Sequence, residues 1–214
     1  MKLLEPGFIE KLEIKNRIIM APMGIRGLCD PDDGYWGERV RAFYGARAAG
    51  GCGMITTEMV FVSQAVEPVA KELLSLANDR HLAAVHRLAE TLHAYNCKMS
   101  VQLTAGFGRV IPPPVVIEGV APVSASKNTN YYVPDYANLN ARALTTEEAG
   151  ELARSFGYAA KRCREAGADC VELHGHEGYL LDQFMTGLWN RRDDRYGGSR
   201  EKRLTFAREA IEAI

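Results

Sequence analysis

Several side chains able to donate, accept or transfer protons lie close together in the segment VELHGHEGYLLDQF (171–184). They are His174, His176, Glu177 and Tyr179. The apolar residues before them are typical of a buried strand, so simple packing favours none of the four at this place. Residues two apart in a strand share a face, and His174 therefore points to the same side as Glu172. Imidazole, carboxyl and phenol groups can all take part in hydrogen bonding and proton transfer, so their position at a strand end calls for a reason other than packing.

The spacing His174-x-His176 followed by Glu177 also indicates a second chemistry, the zinc or iron site of a metal-dependent hydrolase on a barrel. Gly175 and Gly178 argue against this alternative, because they turn the backbone and separate side chains that a metal needs on one face. No aspartate-rich partner motif appears at the ends of the other predicted strands. We therefore expect no metal, and bound metal in the purified protein would decide between the two chemistries.

Predicted strands and helices alternate along the whole chain. The strands are NRIIMAPM (16–23), GMITTEMV (53–60), KMSVQLTAG (98–106) and DCVELHG (169–175). The helices that follow them are predicted at 35–51, 79–97, 145–168 and 199–214. Thr145 and Glu148 have the spacing of a capping box, Gly167 is a helix stop, and Ser199 is a cap for the last helix. The order is (βα)4.

Alternating strands and helices predict a parallel sheet, either an open doubly wound sheet or a (β/α)8 barrel. The long connections follow strands, at 24–35, 61–78 and 105–144, which is typical of a barrel with its site at the carboxyl ends of the strands. No GxGxxG follows the first strand. A complete barrel takes about 250 residues. We therefore predict an α/β fold of the (β/α)8 TIM-barrel type, with residues 1–214 as its four amino-terminal βα units.

Composition excludes several classes of function. The formal net charge is −1 and no long basic run occurs, so neither nucleic acid nor an anionic membrane is an expected partner. The amino-terminal residues lack the apolar region of a signal peptide, which predicts a cytoplasmic protein. The five cysteines are widely spaced without a CxxC, which predicts reduced, mostly buried thiols.

Five motifs together resemble the Old Yellow Enzyme family of FMN-dependent ene-reductases. They are KNRIIMAPM, QLTAGFGR (102–109), ARALTTEE (141–148), GADCVELHGHEGYLLDQF and NRRDDRYGGSREKRLTF (190–206). The resemblance covers essentially the whole chain and is strongest to the branch of 2,4-dienoyl-CoA reductases, 2-enoate reductases and bile-acid Δ4-reductases. It implies NAD(P)H-dependent reduction of the C=C bond of an enoate, an enoyl-CoA or a 3-oxo-Δ4-steroid. A 4Fe-4S cluster and FAD are implied only for a longer form.

The resemblance implies that FMN lies across the carboxyl-terminal mouth of the barrel. The expected contacts are Pro22, Met23, Gly24, Glu58, Met59 and Gln102. The amide of Gln102 offers both a donor and an acceptor to the flavin pyrimidine edge. Gly24 stands where many relatives carry Thr or Cys, so no side-chain contact is expected there. Glu58 is equally compatible with a structural carboxylate that the protein itself satisfies.

The same resemblance implies the catalytic roles. His174 is expected to hydrogen-bond the substrate carbonyl, and Tyr179 is the expected proton donor. Glu177 replaces the His or Asn of much of the wider family, and since an ionised carboxylate only accepts hydrogen bonds, it is expected to orient His174, Tyr179 or a water. His176 is expected to be exposed and incidental. Arg109 is expected to bind substrate, with a surface arginine as the alternative.

A non-catalytic half-barrel is the remaining alternative for this chain. The phosphate site of such barrels is built after strands seven and eight. Unpaired strand edges favour pairing with a second copy. The 214-residue chain alone is therefore expected to bind FMN weakly and to self-associate.

Overall fold

The computed structural model describes residues 2–63, 73–76, 78–116, 120–175 and 178–214. The chain divides into two compact units. The first unit consists of Met1–Val60, Glu72–Leu103 and Lys161–Leu173, and the second of Phe61–Lys71, Thr104–Ala160 and His174–Ile214. Each unit is assembled from separate stretches, so each brings together residues that are distant in sequence.

Strands and helices follow one another in the predicted order. The strands are β1 (Gly7–Ile9), β2 (Leu12–Ile14), β3 (Ile19–Met20), β4 (Met54–Phe61), β5 (Lys98–Thr104), β6 (Val123–Ser124), β7 (Arg142–Ala143) and β8 (Cys170–Leu173). The helices are α1 (Glu38–Ala49), α2 (Asp79–His93), α3 (Thr146–Glu165), α4 (Leu180–Met185), α5 (Arg200–Arg203) and α6 (Thr205–Ala213). Among the described residues, no helix is long and apolar enough to cross a membrane.

The main sheet has four strands in the order β3-β4-β5-β8. Strand β3 pairs in parallel with β4, and β5 pairs in parallel with β8. Sheet order therefore repeats chain order. A barrel adds its strands in this way, whereas a doubly wound sheet reverses direction at a switch point. The order confirms the predicted barrel type and removes the doubly wound alternative.

Helix α2 shows how a periodic sequence becomes a buried face. Its buried apolar residues are Ala84, Val85, Leu88, Ala89 and Leu92, whereas Leu82 is only half-buried. Residues three and four apart share a face of a helix, so this spacing turns one side toward the core. The side chain of Asn78 caps the helix by accepting from the Arg80 backbone N–H.

The predicted caps at Thr145, Gly167 and Ser199 are confirmed. Thr145 Oγ1 accepts from the Glu148 backbone N–H at 3.1 Å, while Glu148 Oε2 accepts from the Thr145 N–H at 2.8 Å. Gly167 follows α3 with φ of +94°, a left-handed conformation that favours glycine. Ser199 accepts from the Lys202 N–H at the start of α5. All these contacts join near neighbours, which is why the sequence predicts them.

The structure also contains elements that the sequence patterns did not predict. Strands β6 and β7 pair in parallel inside the segment expected to be a long loop after β5. Helix α4 follows β8 directly after Tyr179. The predicted last helix consists of α5 and α6, which meet at Leu204. These elements are shorter than the window over which hydrophobic periodicity becomes visible, so pattern alone misses them.

All five cysteines are reduced thiols, as predicted, and three of them are buried. Burial raises the pKa of the Cys163 thiol to about 12 and that of the Cys97 thiol to about 11. The thiolate is the reactive form of cysteine, so these two thiols are chemically inert at neutral pH.

Candidate functional site

In the first unit, the residues after β3 expose apolar side chains and backbone. Pro22 is half-buried, and the Met23 side chain is 53% exposed. A Cβ added at Gly24 would meet nothing within 4 Å. Met59 is the one residue of β4 that is not fully buried. These strand ends offer apolar contact to a flat ligand without placing a charge against it.

Gln102 lies in the part of β5 that belongs to the same unit, and it is 7% exposed. It lies opposite Glu172 in the register of β5 and β8, and its Nε2 donates to Glu172 Oε1 at 2.7 Å. Because an ionised carboxylate accepts only, this bond fixes which end of the amide is nitrogen. The second N–H and the amide oxygen of Gln102 keep their capacity for further bonds. A donor beside an acceptor suits the pyrimidine edge of a flavin.

Glu58 is 2% exposed and faces protein donors. Its carboxylate accepts from the Ile25 N–H at 2.9 Å, from Cys29 Sγ at 3.1 Å and from Trp36 Nε1 at 3.2 Å. Burial raises the pKa of Glu58 in spite of these donors. The contacts are those of the structural alternative, a carboxylate that the protein itself satisfies. Glu58 anchors the loop of residues 24–36, and a contact of its own with a cofactor stays a prediction.

In the second unit, the two predicted catalytic side chains lie together. The rings of His174 and Tyr179 meet edge to face with their centroids 5.0 Å apart. Phe107 packs edge-on against the other side of Tyr179, with centroids 5.1 Å apart. Thr104 Oγ1 lies 3.3 Å from His174 Nδ1. Both His174 and Tyr179 are half-buried, so they are held by packing and still reach the surface.

Gln183 is the residue of this region that sequence reasoning missed. It is 0% exposed, and its amide donates to the carbonyl oxygens of Phe107 and Gly178. Its Oε1 accepts from the Arg109 N–H at 3.2 Å and from Ser124 Oγ at 2.6 Å. The position of Gln183 among the apolar residues Leu180, Leu181 and Phe184 is the sequence signal that could have indicated it. Gln183 thus holds the loop after β5 to the helix that begins after Tyr179.

Gly108 shows how tightly this contact is built. Its φ is +60°, and an added Cβ would lie 2.3 Å from the Gln183 amide. Both the backbone conformation and the space therefore require glycine. Asp182 adds a second tie, because its Oδ2 accepts from the Gly178 N–H at 2.8 Å. The backbone that positions Tyr179 is consequently held from both sides.

Arg109 is buried, with 7% of its surface exposed. Its guanidinium carbon lies 3.8 Å from the ring centroid of Trp189 and 5.7 Å from that of Tyr131. Its Nε donates to the Thr129 carbonyl at 3.0 Å. Burial lowers the pKa of Arg109. The alternative of a surface arginine is therefore wrong, since aromatic rings cover the guanidinium. Contact of Arg109 with substrate stays a prediction.

The segment after α4 contains a network that serves structure. Arg192 donates from Nε and Nη2 to the carboxylate of Asp194, and Thr146 Oγ1 also donates to it. Arg192 lowers the pKa of Asp194. Asn190 donates to the carbonyls of Phe184 and Tyr196 at 2.6 and 2.7 Å. These hydrogen bonds therefore hold the segment NRRDDRYGG (190–198) against other residues of the second unit.

Glu177 and His176 lie outside the described residues, so the expected roles of both stay predictions. The metal-site alternative rested on these two residues together with His174. Elsewhere, within the ranges that the structure describes, no group of three His, Cys, Asp or Glu side chains is placed to hold a metal. The metal content of the purified protein remains the measurement that decides this point.

Comparison with known proteins places the chain among flavin-dependent oxidoreductases. A family model for the NADH:flavin oxidoreductase / NADH oxidase family matches residues 2–214. A cinnamate reductase of Clostridium sporogenes is 42% identical over 216 residues, which is 99% of this chain and 32% of the relative. An NADPH dehydrogenase of Geobacillus sp. (strain WCH70) is 32% identical over 213 residues, 99% of this chain and 59% of the relative. The chain thus spans less than two thirds of the length of these relatives.

Solved structures give the same result. Morphinone reductase in complex with tetrahydroNAD has a TM-score of 0.84 and 28% identity, covering 100% of this chain and 60% of its own. An Old Yellow Enzyme from Pichia sp. AKU4542 has a TM-score of 0.86 and 27% identity, covering 99% of this chain and 55% of its own. These similarities confirm the family resemblance and the barrel-type fold.

Proposed function

Because the chain belongs to the NADH:flavin oxidoreductase / NADH oxidase family, we propose that the full-length protein is an FMN-dependent, NAD(P)H-consuming ene-reductase. Its substrate is an α,β-unsaturated carbonyl compound, of which an enoate, an enoyl-CoA and a 3-oxo-Δ4-steroid are the members considered. The similarity to a cinnamate reductase favours an enoate. The observation that carries the proposal is the packed pair of His174 and Tyr179 at the end of β8.

The residues of the first unit fit a flavin. In the proposal, Pro22, Met23, Gly24 and Met59 contact the ring system through backbone and apolar surface. One N–H of the Gln102 amide donates to Glu172. In the proposal, the other N–H and the amide oxygen of Gln102 bind the polar edge of the flavin. FMN held by these residues would supply the two-electron chemistry that couples oxidation of NAD(P)H to reduction of the alkene. Glu58 supports this surface by holding the loop of residues 24–36.

The residues of the second unit handle the carbonyl and the proton. His174 donates a hydrogen bond to the substrate carbonyl oxygen and stabilises the negative charge that develops there. Tyr179, whose phenol is protonated at neutral pH, gives its proton to the α-carbon and regains one from solvent. Glu177 has the expected role of orienting His174, Tyr179 or a water. Arg109 binds the carboxylate of an enoate, and within the described residues no carboxylate side chain pairs with Arg109.

The wider organisation is part of the proposal. Residues 1–214 form the amino-terminal half of the FMN barrel, and a 4Fe-4S cluster and FAD belong to a longer form. A cytoplasmic location and self-association of the 214-residue chain stay predictions. Gel filtration with light scattering tests the self-association, and a flavin spectrum of the eluted peak tests whether this part alone holds FMN.

The proposed function is tested by separating the two half-reactions in the full-length protein. Anaerobic NAD(P)H should bleach the flavin, and cinnamate should then restore its colour while its alkene is reduced. Tyr179→Phe should slow the second step by about 10²–10⁴-fold and leave the first unchanged. Tyr158→Phe, at an exposed position on α3, is the matched control. Failure of wild-type protein to reduce any conjugated carbonyl compound would refute the proposal, and an unaltered second step in Tyr179→Phe would remove Tyr179 from it.

A further inference from the structure

Thr104 is the last residue of β5, and its hydroxyl lies between two nitrogen atoms. It is 1% exposed. The Gly106 backbone N–H donates to Thr104 Oγ1 at 3.0 Å, and His174 Nδ1 lies 3.3 Å from the same oxygen. Thr104 and His174 are 70 positions apart in sequence, so the fold alone brings them together. The family resemblance assigns no role to Thr104.

The position of the hydroxyl proton decides which ring nitrogen of His174 carries hydrogen. A threonine hydroxyl has one proton and two lone pairs, and the Gly106 N–H occupies one lone pair. If His174 Nδ1 were protonated, it would take the second lone pair, and the Thr104 proton would need another acceptor. In the part of the chain that the structure describes, His174 Nδ1 is the acceptor within reach of that proton. A buried hydroxyl proton without an acceptor is costly, so the arrangement favours Thr104 as donor to Nδ1.

We propose that Thr104 is a positioning residue that holds neutral His174 in the tautomer with its proton on Nε2. This inference rests on the proposed function for its consequence. An Nε2–H directed at the substrate donates to the carbonyl oxygen, whereas the other tautomer would present a lone pair to that oxygen and repel it. The edge-to-face contact with Tyr179 fixes the ring plane, and Thr104 fixes which edge carries the proton. Orientation and tautomer are thus set by different neighbours.

The first test reads the tautomer directly and needs no turnover. Two-dimensional NMR of ¹⁵N-histidine-labelled protein distinguishes a protonated from an unprotonated ring nitrogen. Wild-type protein should show His174 with unprotonated Nδ1 at a pH where the ring is neutral. Thr104→Val, which keeps the shape and removes the donor, should show a mixture of tautomers, and Thr104→Ser should restore the wild-type pattern. Thr91→Val removes a hydroxyl that bonds within α2 and should change nothing at His174.

The second test connects the tautomer to binding. Flavin-perturbation titration with a phenolate, which imitates the enolate oxygen, should show roughly tenfold weaker binding in Thr104→Val, the size expected for one hydrogen bond, and recovery in Thr104→Ser. Nδ1-protonated His174 in wild type, or a wild-type pattern and affinity in Thr104→Val, would overturn the inference. The expected tautomer, with the proton on Nε2, in a wild-type protein that binds no phenolate and reduces no enone would contradict the proposed function instead, which keeps the two failures distinct.

Discussion

Two buried polar side chains, one in each unit, each hold a loop at a strand end, but they differ in the hydrogen bonds that they form. Glu58 is 2% exposed and accepts from three donors. Gln183 is 0% exposed, donates to two carbonyl oxygens and accepts from two donors. An ionised carboxylate only accepts, whereas an amide does both. Each side chain therefore matches its surroundings, and exchanging the two chemistries should break both sites.

Because a carboxylate titrates and an amide does not, the two loops should respond differently to pH. Glu58 titrates, so the stability of the loop of residues 24–36 is linked to proton binding. Gln183 does not titrate, so its own hydrogen bonds to the backbone beside Tyr179 do not change with pH. A proton donor benefits from such a support, because its position does not change while protons are exchanged around it.

The largest effect is expected for Gln183→Glu. The substitution keeps the shape of the side chain but directs a carboxylate at the carbonyl oxygens of Phe107 and Gly178. It should lower the free energy of unfolding by about 3–5 kcal/mol at neutral pH, since it places a buried charged oxygen against two carbonyl oxygens. Urea denaturation measures the change. A loss of less than about 1 kcal/mol would mean that the amide does not hold this loop.

Glu58→Gln is the reverse exchange and should have a smaller effect. Its amide nitrogen must face at least one of the donors now directed at Glu58, which leaves that donor without an acceptor. The expected loss in free energy of unfolding is about 1–3 kcal/mol. Glu151→Gln removes the same charge from an exposed position on α3 and should change stability by less than about 0.5 kcal/mol. Equal effects of the two substitutions would show that the buried contacts of Glu58 contribute nothing.

The pH dependence of stability sharpens the comparison further. Burial raises the pKa of Glu58, so the folded protein binds this proton more tightly than the unfolded chain does. The stabilising contribution is complete below the ordinary glutamate pKa and is lost as pH rises through the folded pKa. The difference in free energy of unfolding between wild type and Glu58→Gln should therefore fall with rising pH, by at most about 1.4 kcal/mol per pH unit.

This difference must be compared between proteins, because other carboxylates act in the opposite direction. Arg192 lowers the pKa of Asp194, and Arg142 lowers that of Glu148. Their contributions are present above the ordinary carboxylate pKa and are lost as pH falls through the lowered value. They cancel when wild type and Glu58→Gln are measured under the same conditions. A difference that rises with pH would contradict the raised pKa of Glu58.

The smallest effect is expected for Cys29→Ala. A thiol is a weak donor, and its contact with Glu58 is one of three. Removal of the sulfur should cost about 1 kcal/mol, mostly through the small cavity that remains. Cys29→Ser keeps a donor and should separate the hydrogen bond from the cavity. Thermal unfolding monitored by circular dichroism is the measurement, and a cost as large as that of Glu58→Gln would assign the anchoring of the loop to Cys29.

Much of the fold and part of the candidate site could be predicted from the sequence. The four βα units, the buried stripe of α2 and the pairing of Thr145 with Glu148 follow from periodicity and near-neighbour spacing. The proximity of His174 and Tyr179 also follows from their short separation, since both lie on one turn of chain. Short elements such as β6 and α4 escaped prediction, because a few residues carry no measurable period.

The sequence by itself determined which residue types stand at the strand ends, and tertiary structure decided what each of them does. Glu58 was open between cofactor contact and structural support until Ile25, 33 positions away, supplied a backbone donor. Arg109 became buried through Trp189, and Gln183 became a central support through a partner 74 positions away. Helix caps and amphipathic stripes depend on residues a few positions apart, which a pattern records. Burial and long-range hydrogen bonds depend on which strands and loops meet, and only the folded chain determines that.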